Sequence, residues 1–140
     1  MSTRLKLVKG ALPQIAIPIS PGELLDRLTI LEIKSERIAD PAKRAHVEAE
    51  WAAVAMLAAN LLSEDAEVIR LKGEIRAVNQ ALWEIEDAIR DHERCQDFGP
   101  EFVALARAVY RTNDRRAALK RAVNDRLGST IVEEKSYAAY

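Results

Sequence analysis

From Val68 to Ile89 an apolar residue recurs every three or four positions: Val68, Leu71, Ile75, Val78, Leu82, Ile85, Ile89. That spacing keeps one stripe of a helix against a partner over about six turns. Three further segments share the rhythm. Leu24, Leu28, Leu31 and Ile38 line one helix, with Ser35 at the remaining stripe position. Val47, Trp51, Val54, Ala58 and Leu61 line a second, and Phe102, Leu105, Val109, Leu119, Val123 and Leu127 line the last. The run Trp51–Leu62 is apolar almost all round, which predicts central burial or a subunit contact. The pattern predicts an all-α fold, an antiparallel bundle of four main helices in a single domain spanning 1–140.

Local punctuation sets the boundaries. Ser20-Pro21-Gly22-Glu23 joins a capping hydroxyl, a proline where a missing N–H costs nothing, and an acid able to reach back to the cap. Asp40-Pro41 repeats the cap-plus-proline signal for the second helix. Ser63, followed by Glu64, Asp65 and Glu67, suits the start of the third. Asp97–Pro100 forms the next loop, and Gly128 is a natural stop. Gly73 lies inside the third helix, where a close crossing would explain it. Residues 1–19 read as an extended arm and 129–140 as a tail with a β-like piece, Thr130-Ile131-Val132. Both are expected to pack across the 20–128 bundle, the β-like piece beside the arm.

Composition narrows the function classes. Hydrophobic residues make up 49% and charged residues 31% of the 140, a globular balance. Aromatics are only 5%, so Leu, Ile, Val and Ala must build the core. A formal net charge of -1 supplies no global field for nucleic acid and no polybasic membrane anchor. Cys95 is the only cysteine, which excludes an intrachain disulfide and suits a reducing compartment. The N-terminal stretch is broken by Arg4, Lys6 and Lys9 and lacks the apolar region of a secretory signal. Trp51–Leu62 falls well short of the roughly 20 residues needed to cross a bilayer. The expected location is cytoplasmic, without a membrane span.

The fourth helix interrupts its own stripe. Between Val109 and Leu119 the inward positions fall on Thr112 and Arg116, flanked by Asn113, Asp114 and Arg115. Polar groups there must be paired or wet. A hairpin of helices three and four places Glu86 near Tyr110 and Arg107, and Glu84 near Thr112 and Arg111. One reading of these charges is register-fixing salt bridges. The other is a polar pocket inside the bundle.

Metal chemistry has a formal match. Glu64-Asp-Ala-Glu67 and Glu84-Ile-Glu-Asp87 carry the paired-carboxylate spacing of all-helical Mg²⁺ pyrophosphohydrolases. Both lie on one helix, however, about 25 Å apart at 1.5 Å per residue, beyond the span of one ion. A set drawn from Glu32, Glu36, Glu86 and Asp87 remains as the alternative Mg²⁺ site. His92 and Cys95 are too few for zinc, and His46 lies on another helix. The chain holds no Gly-rich phosphate loop, Gly-x-Ser-x-Gly elbow, Cys-x-x-Cys or His-Glu-x-x-His. Trp51 and Trp83 read as packing anchors.

Four strings together carry a resemblance. They are Ile19-Ser-Pro-Gly-Glu-Leu-Leu-Asp-Arg-Leu-Thr-Ile-Leu-Glu-Ile-Lys-Ser-Glu-Arg-Ile38, Leu82-Trp-Glu-Ile-Glu-Asp-Ala-Ile-Arg90, Val109-Tyr-Arg-Thr-Asn-Asp-Arg-Arg-Ala117 and Ile131-Val-Glu-Glu-Lys-Ser-Tyr137. From Ile15 onward the chain resembles an uncharacterised family of small bacterial helical proteins, a domain of unknown function. Similar segments stand beside or within glycosyltransferase-type proteins of surface-polysaccharide synthesis. The resemblance implies a neighbourhood and no mechanism. It draws attention to Glu32, Lys34, Glu36 and Arg37, then Trp83, Glu86, Asp87 and Arg90, then Tyr110, Asn113, Asp114 and Arg116, and last Glu133, Glu134, Lys135 and Tyr137.

The leading expectation is a non-catalytic accessory or binding protein in cell-surface glycan assembly, with a protein partner such as a glycosyltransferase. Its expected ligand is an anionic sugar or phosphate on Lys34, Arg37, Arg116, Lys120 and Lys135, with Lys135 and Tyr137 closing the site. Glu32, Glu36, Glu86, Asp87, Asn113 and Asp114 complete the candidate set. The alternatives are a helical Mg²⁺-dependent hydrolase of a nucleotide or sugar phosphate, and a homodimerisation module acting through Trp51–Leu62.

Overall fold

A computed structural model of the chain describes residues 14–62 and 65–140. It contains four helices: α1 (Pro21–Arg37), α2 (Pro41–Leu62), α3 (Ala66–Arg94) and α4 (Pro100–Leu127). No strand occurs among the described residues. The fold is an all-α helical bundle. Residues 1–13 of the expected arm lie outside the described residues, as do Ser63 and Glu64.

The caps follow from local chemistry. The Ser20 hydroxyl accepts from the Glu23 N–H at 3.1 Å, with Pro21 at the first helical position. Glu23 does not return to the cap as expected. Lys120 of α4 draws its carboxylate away, at 2.5 Å. Asp40 accepts from the Lys43 N–H at 3.0 Å, and Asp65 caps α3 through Glu67 and Val68. Gly128 ends α4 at a φ of 65°, a left-handed conformation that suits glycine.

The shortest helix is the centre. α1 packs against α2, α3 and α4, and α3 also packs along α4. α1 therefore buries more than one stripe: Leu24, Leu25, Leu28, Leu31 and Ile33, with Asp26 and Thr29 among them. Of these, Leu24, Leu25, Leu28 and Leu31 form one core with Val54 and Ala58 of α2, Val68, Leu71, Ile75, Val78 and Leu82 of α3, and Leu119 and Val123 of α4. α3 and α4, at 29 and 28 residues, are far longer than the 17 of α1. The loop end of their hairpin therefore outruns the central helix, and Ile85, Ile89, Phe102, Leu105 and Val109 are only half-buried.

α2 corrects an expectation. It buries only Val54 and Ala58, while Trp51, Met56 and Leu57 are 41%, 76% and 63% exposed. Central burial of its apolar half does not occur: α2 packs chiefly on α1, and only Val54 and Ala58 are buried in the shared core. Gly73 is a second correction. A Cβ there would meet nothing within 4 Å. The close approach lies at Gly22, where a Cβ would collide with the Lys120 carbonyl and the Asn124 side chain. The tail forms no strand at Thr130–Val132. It returns to the start of α1 and to α4, held by side chains instead of a ladder.

Candidate functional site

A chain of polar side chains runs through the middle of the bundle. Asn79 of α3 donates to the Asp26 carboxylate at 2.8 Å and to the Thr29 hydroxyl at 2.9 Å. Its carbonyl oxygen accepts from the Arg116 guanidinium at 3.2 Å. The second oxygen of Asp26 lies 3.6 Å from the Lys120 ammonium, which also holds Glu23. One turn further along α4, Asn124 accepts from the Gly22 N–H at 2.8 Å and donates to Glu133 at 3.1 Å. This supplies the acceptor that a free N–H in the first turn of α1 needs. Among the described residues every buried side-chain nitrogen and oxygen has a partner.

Glu133 ties the tail to this chain. Its carboxylate accepts from the Ser20 hydroxyl, so Ser20 is at once acceptor for α1 and donor to the tail. Burial opposes its charge, yet the hydrogen bonds from Ser20, its own N–H and Asn124, with the nearby Lys120, outweigh it. The net effect holds the Glu133 carboxyl below the usual glutamate range. Further on, the Tyr140 hydroxyl donates to Asp114 at 2.8 Å, which raises its pKa. The Tyr140 ring meets that of Tyr110 edge-on, centroids 5.1 Å apart.

Two cavities flank this structure. The first, about 520 Å³, lies between α1, α3 and α4. Ile30, Ile33, Leu82 and Trp83 form its apolar wall, and Lys34, Glu86, Asp87, Arg90, Asn113 and Arg116 supply charge and hydrogen bonds. The second, about 1060 Å³, lies between α4 and the tail, with Tyr110, Asp114, Lys135, Tyr137 and Tyr140 in its wall. Asn113 and Arg116 belong to both.

The structure thus brings Lys34, Glu86, Asp87, Asn113 and Arg116 around one space, and Asn113, Asp114, Arg116, Lys135 and Tyr137 around the other. The remaining candidates line neither. Glu32 pairs with Lys72 at 2.9 Å and Arg76 at 2.8 Å, and Glu36 with Arg76 at 2.5 Å. Arg37 pairs with Glu84 at 3.2 Å, and Lys120 is held by Glu23. The ion pairs of the hairpin acids lie elsewhere than across it: Glu84 pairs with Arg37 of α1, and Glu86 with Arg90 on its own helix.

The alternative Mg²⁺ set is also corrected. Glu32 and Glu36 are neutralised by α3 cations, and only Glu86 and Asp87 face the cavity. Among the described residues no group of three or more His, Cys, Asp or Glu side chains converges where an ion would sit. His92 instead stands beside the hairpin loop, its Nδ1 3.1 Å from the Asp97 carbonyl, and Cys95 is exposed.

Sequence reasoning missed Asp26, Thr29, Asn79 and Asn124, all buried. A signal was present. Gly22, Asp26, Thr29 and Ile33 form a second helical stripe on α1, and a search for apolar residues alone passes over it. Asn79 stands four residues after Ile75 and three before Leu82, on the face the stripe buries.

Among the described residues no helix is long and apolar enough to cross a membrane. No curated protein and no solved structure matches the chain. Residues 15–140, which include every side chain of the polar network and of both cavities, match a family of unknown function (DUF6165), and the chain belongs to that family.

Proposed function

We propose that the protein is a non-catalytic binding protein that holds an anionic sugar or phosphate group at Arg116. The carrying observation is the state of three cations. Arg116 is half-buried, oriented by the buried Asn79, and makes no ion pair among the described residues. Lys34 and Lys135, in the walls of the two adjoining cavities, likewise have no acidic partner there. Among the described residues nine other arginines of α1 to α4 pair with a carboxylate, Arg76 with two, and the three others without an ion pair, Arg27, Arg107 and Arg111, are exposed and line neither cavity. A positioned guanidinium whose remaining donors are free is suited to an oxyanion, because its planar fork can give two parallel hydrogen bonds. Arg37 and Lys120 leave the proposed ligand set, since Glu84 and Glu23 occupy them.

The family resemblance supports the setting: cell-surface glycan assembly, with a glycosyltransferase as the protein partner. Titration calorimetry with glucose 1-phosphate tests the site. Arg116→Ala and Lys135→Ala are each expected to weaken binding at least tenfold. Binding that survives both substitutions unchanged overturns the assignment.

A second reading, self-association, is favoured by one observation, the exposure of Met56 and Leu57 on α2. Sedimentation equilibrium decides it. A dimer converted to monomer by Leu57→Glu supports this face as the contact, and a wild-type monomer removes the reading.

A further inference from the structure

We infer that the ligand held at Arg116 is a diphosphate bridge between two rings, a planar heteroaromatic base on one side of α4 and a hydroxylated sugar ring on the other. This rests on the reading of Arg116 as the anion site and adds the class of molecule.

The juxtaposition of the two cavities carries the inference. Asn113 and Arg116 stand in the walls of both, so a group bound at Arg116 borders two separate spaces. Their volumes, about 520 and 1060 Å³, are each of the size that takes a small-molecule moiety. Cations are distributed to match. Lys34 lies on one side, Lys135 on the other, and Arg116 between them. The acids are partly spoken for: Glu86 is paired with Arg90, and Asp114 accepts from Tyr140. A cation in the wall of each space, with Arg116 common to the two, fits a bridge that carries charge toward both sides better than a single phosphate monoester.

The walls differ as the two rings would. The α1–α3 side has Trp83 in its wall beside Ile30, Ile33 and Leu82. An indole among aliphatic side chains is suited to stack a heteroaromatic ring and offers little to hydroxyls. The tail side presents Tyr110, Tyr137 and Tyr140, with aromatic faces and phenolic donors, and the Lys135 ammonium 5.9 Å from the Tyr137 ring centroid. Tyr137 is 80% exposed, so its face is open to a ligand. Rings with polar tips suit a ligand that is apolar on one face and hydroxylated at its rim.

Titration of the full chain with UDP-glucose, UMP and glucose 1-phosphate tests this, using wild type, Trp83→Ala, Tyr137→Ala and Arg116→Ala. UDP-glucose is expected to bind at least tenfold more tightly than either half. Tyr137→Ala is expected to weaken UDP-glucose and glucose 1-phosphate at least fivefold and to leave UMP unchanged. Trp83→Ala should do the reverse for the two halves. Tyr137 is exposed, so its variant keeps the fold even if the Trp83 variant does not. UDP-glucose binding no tighter than the better half, or unmoved by Tyr137→Ala, overturns the two-ring ligand. Arg116-dependent binding of either half would then still stand for the anion site. Absence of any Arg116-dependent binding overturns both.

Discussion

Asn79 of α3 and Asp26 of α1, each only 5% exposed, share a hydrogen bond of 2.8 Å in the interior of the bundle. The same Asn79 amide orients Arg116 through its carbonyl oxygen. One side chain therefore satisfies a buried carboxylate and aims the cation at the border of two cavities. Asn79→Leu is expected to cost about 1–3 kcal/mol, the penalty for stranding a buried polar group. Urea denaturation should show a lower midpoint with an unchanged slope.

The tail latch should respond to acid. Folding lowers the pKa of Glu133, so its ionised form is favoured in the folded chain. The resulting stabilisation is complete above the unfolded value, about 4.3, and is lost as pH falls through the lower folded value. Amide chemical shifts of residues 129–140 followed from about pH 6 to pH 3 should report release of the tail at the acid end. Glu133→Ala should show the released shifts throughout, with no such transition.

Two glycines should answer oppositely to the same substitution. Gly22→Ala sets a methyl group against the Lys120 carbonyl, a backbone atom that cannot swing aside. The expected loss is about 1–3 kcal/mol by overpacking. Gly73→Ala meets open space inside α3 and should gain roughly 0.5–1 kcal/mol in helix propensity. Thermal denaturation of the pair gives both signs in one experiment.

Arg76 bridges Glu32 and Glu36 from α3 to α1. Arg76→Met should cost on the order of 1 kcal/mol, since the group is largely shielded but not sealed. The difference from wild type should shrink in about 1 M salt, where the screening length falls to roughly 3 Å. A salt-independent difference would assign the effect to packing of the side-chain stem.

Much of the architecture was readable in the residues, and the misreadings have physical causes. Ser20-Pro21, Asp40-Pro41 and Gly128 mark helix ends because capping depends on a few neighbouring atoms. Which helix sits in the middle depends on all the others. α2 is the more apolar segment around Trp51–Leu62, yet α1 holds the centre despite carrying Asp26 and Thr29. Apolar content says how much surface favours burial and not which neighbours will cover it. The polar partner that permits α1 its place, Asn79, arrives 53 residues after Asp26. The break in the α4 stripe at Asn113 and Arg116 was visible as a pattern. Its second wall was expected from Lys135 and Tyr137, but the contacts that seat the tail on α4 were not, because Glu133 and Tyr140 act as single side chains that no periodicity announces.

The position of α1 has a consequence for how the molecule breathes. A 17-residue helix with three neighbours cannot unfold locally without exposing the shared interior, whereas α2 packs chiefly on α1 and buries only Val54 and Ala58 there. Native-state hydrogen exchange should therefore rank protection against length: amides of the shortest helix open only with the whole chain, and those of α2 open at a lower free energy. Motion of the outer helix alone would leave Arg116 and its wall on α1 and α3 undisturbed, since no residue of α2 lines either cavity.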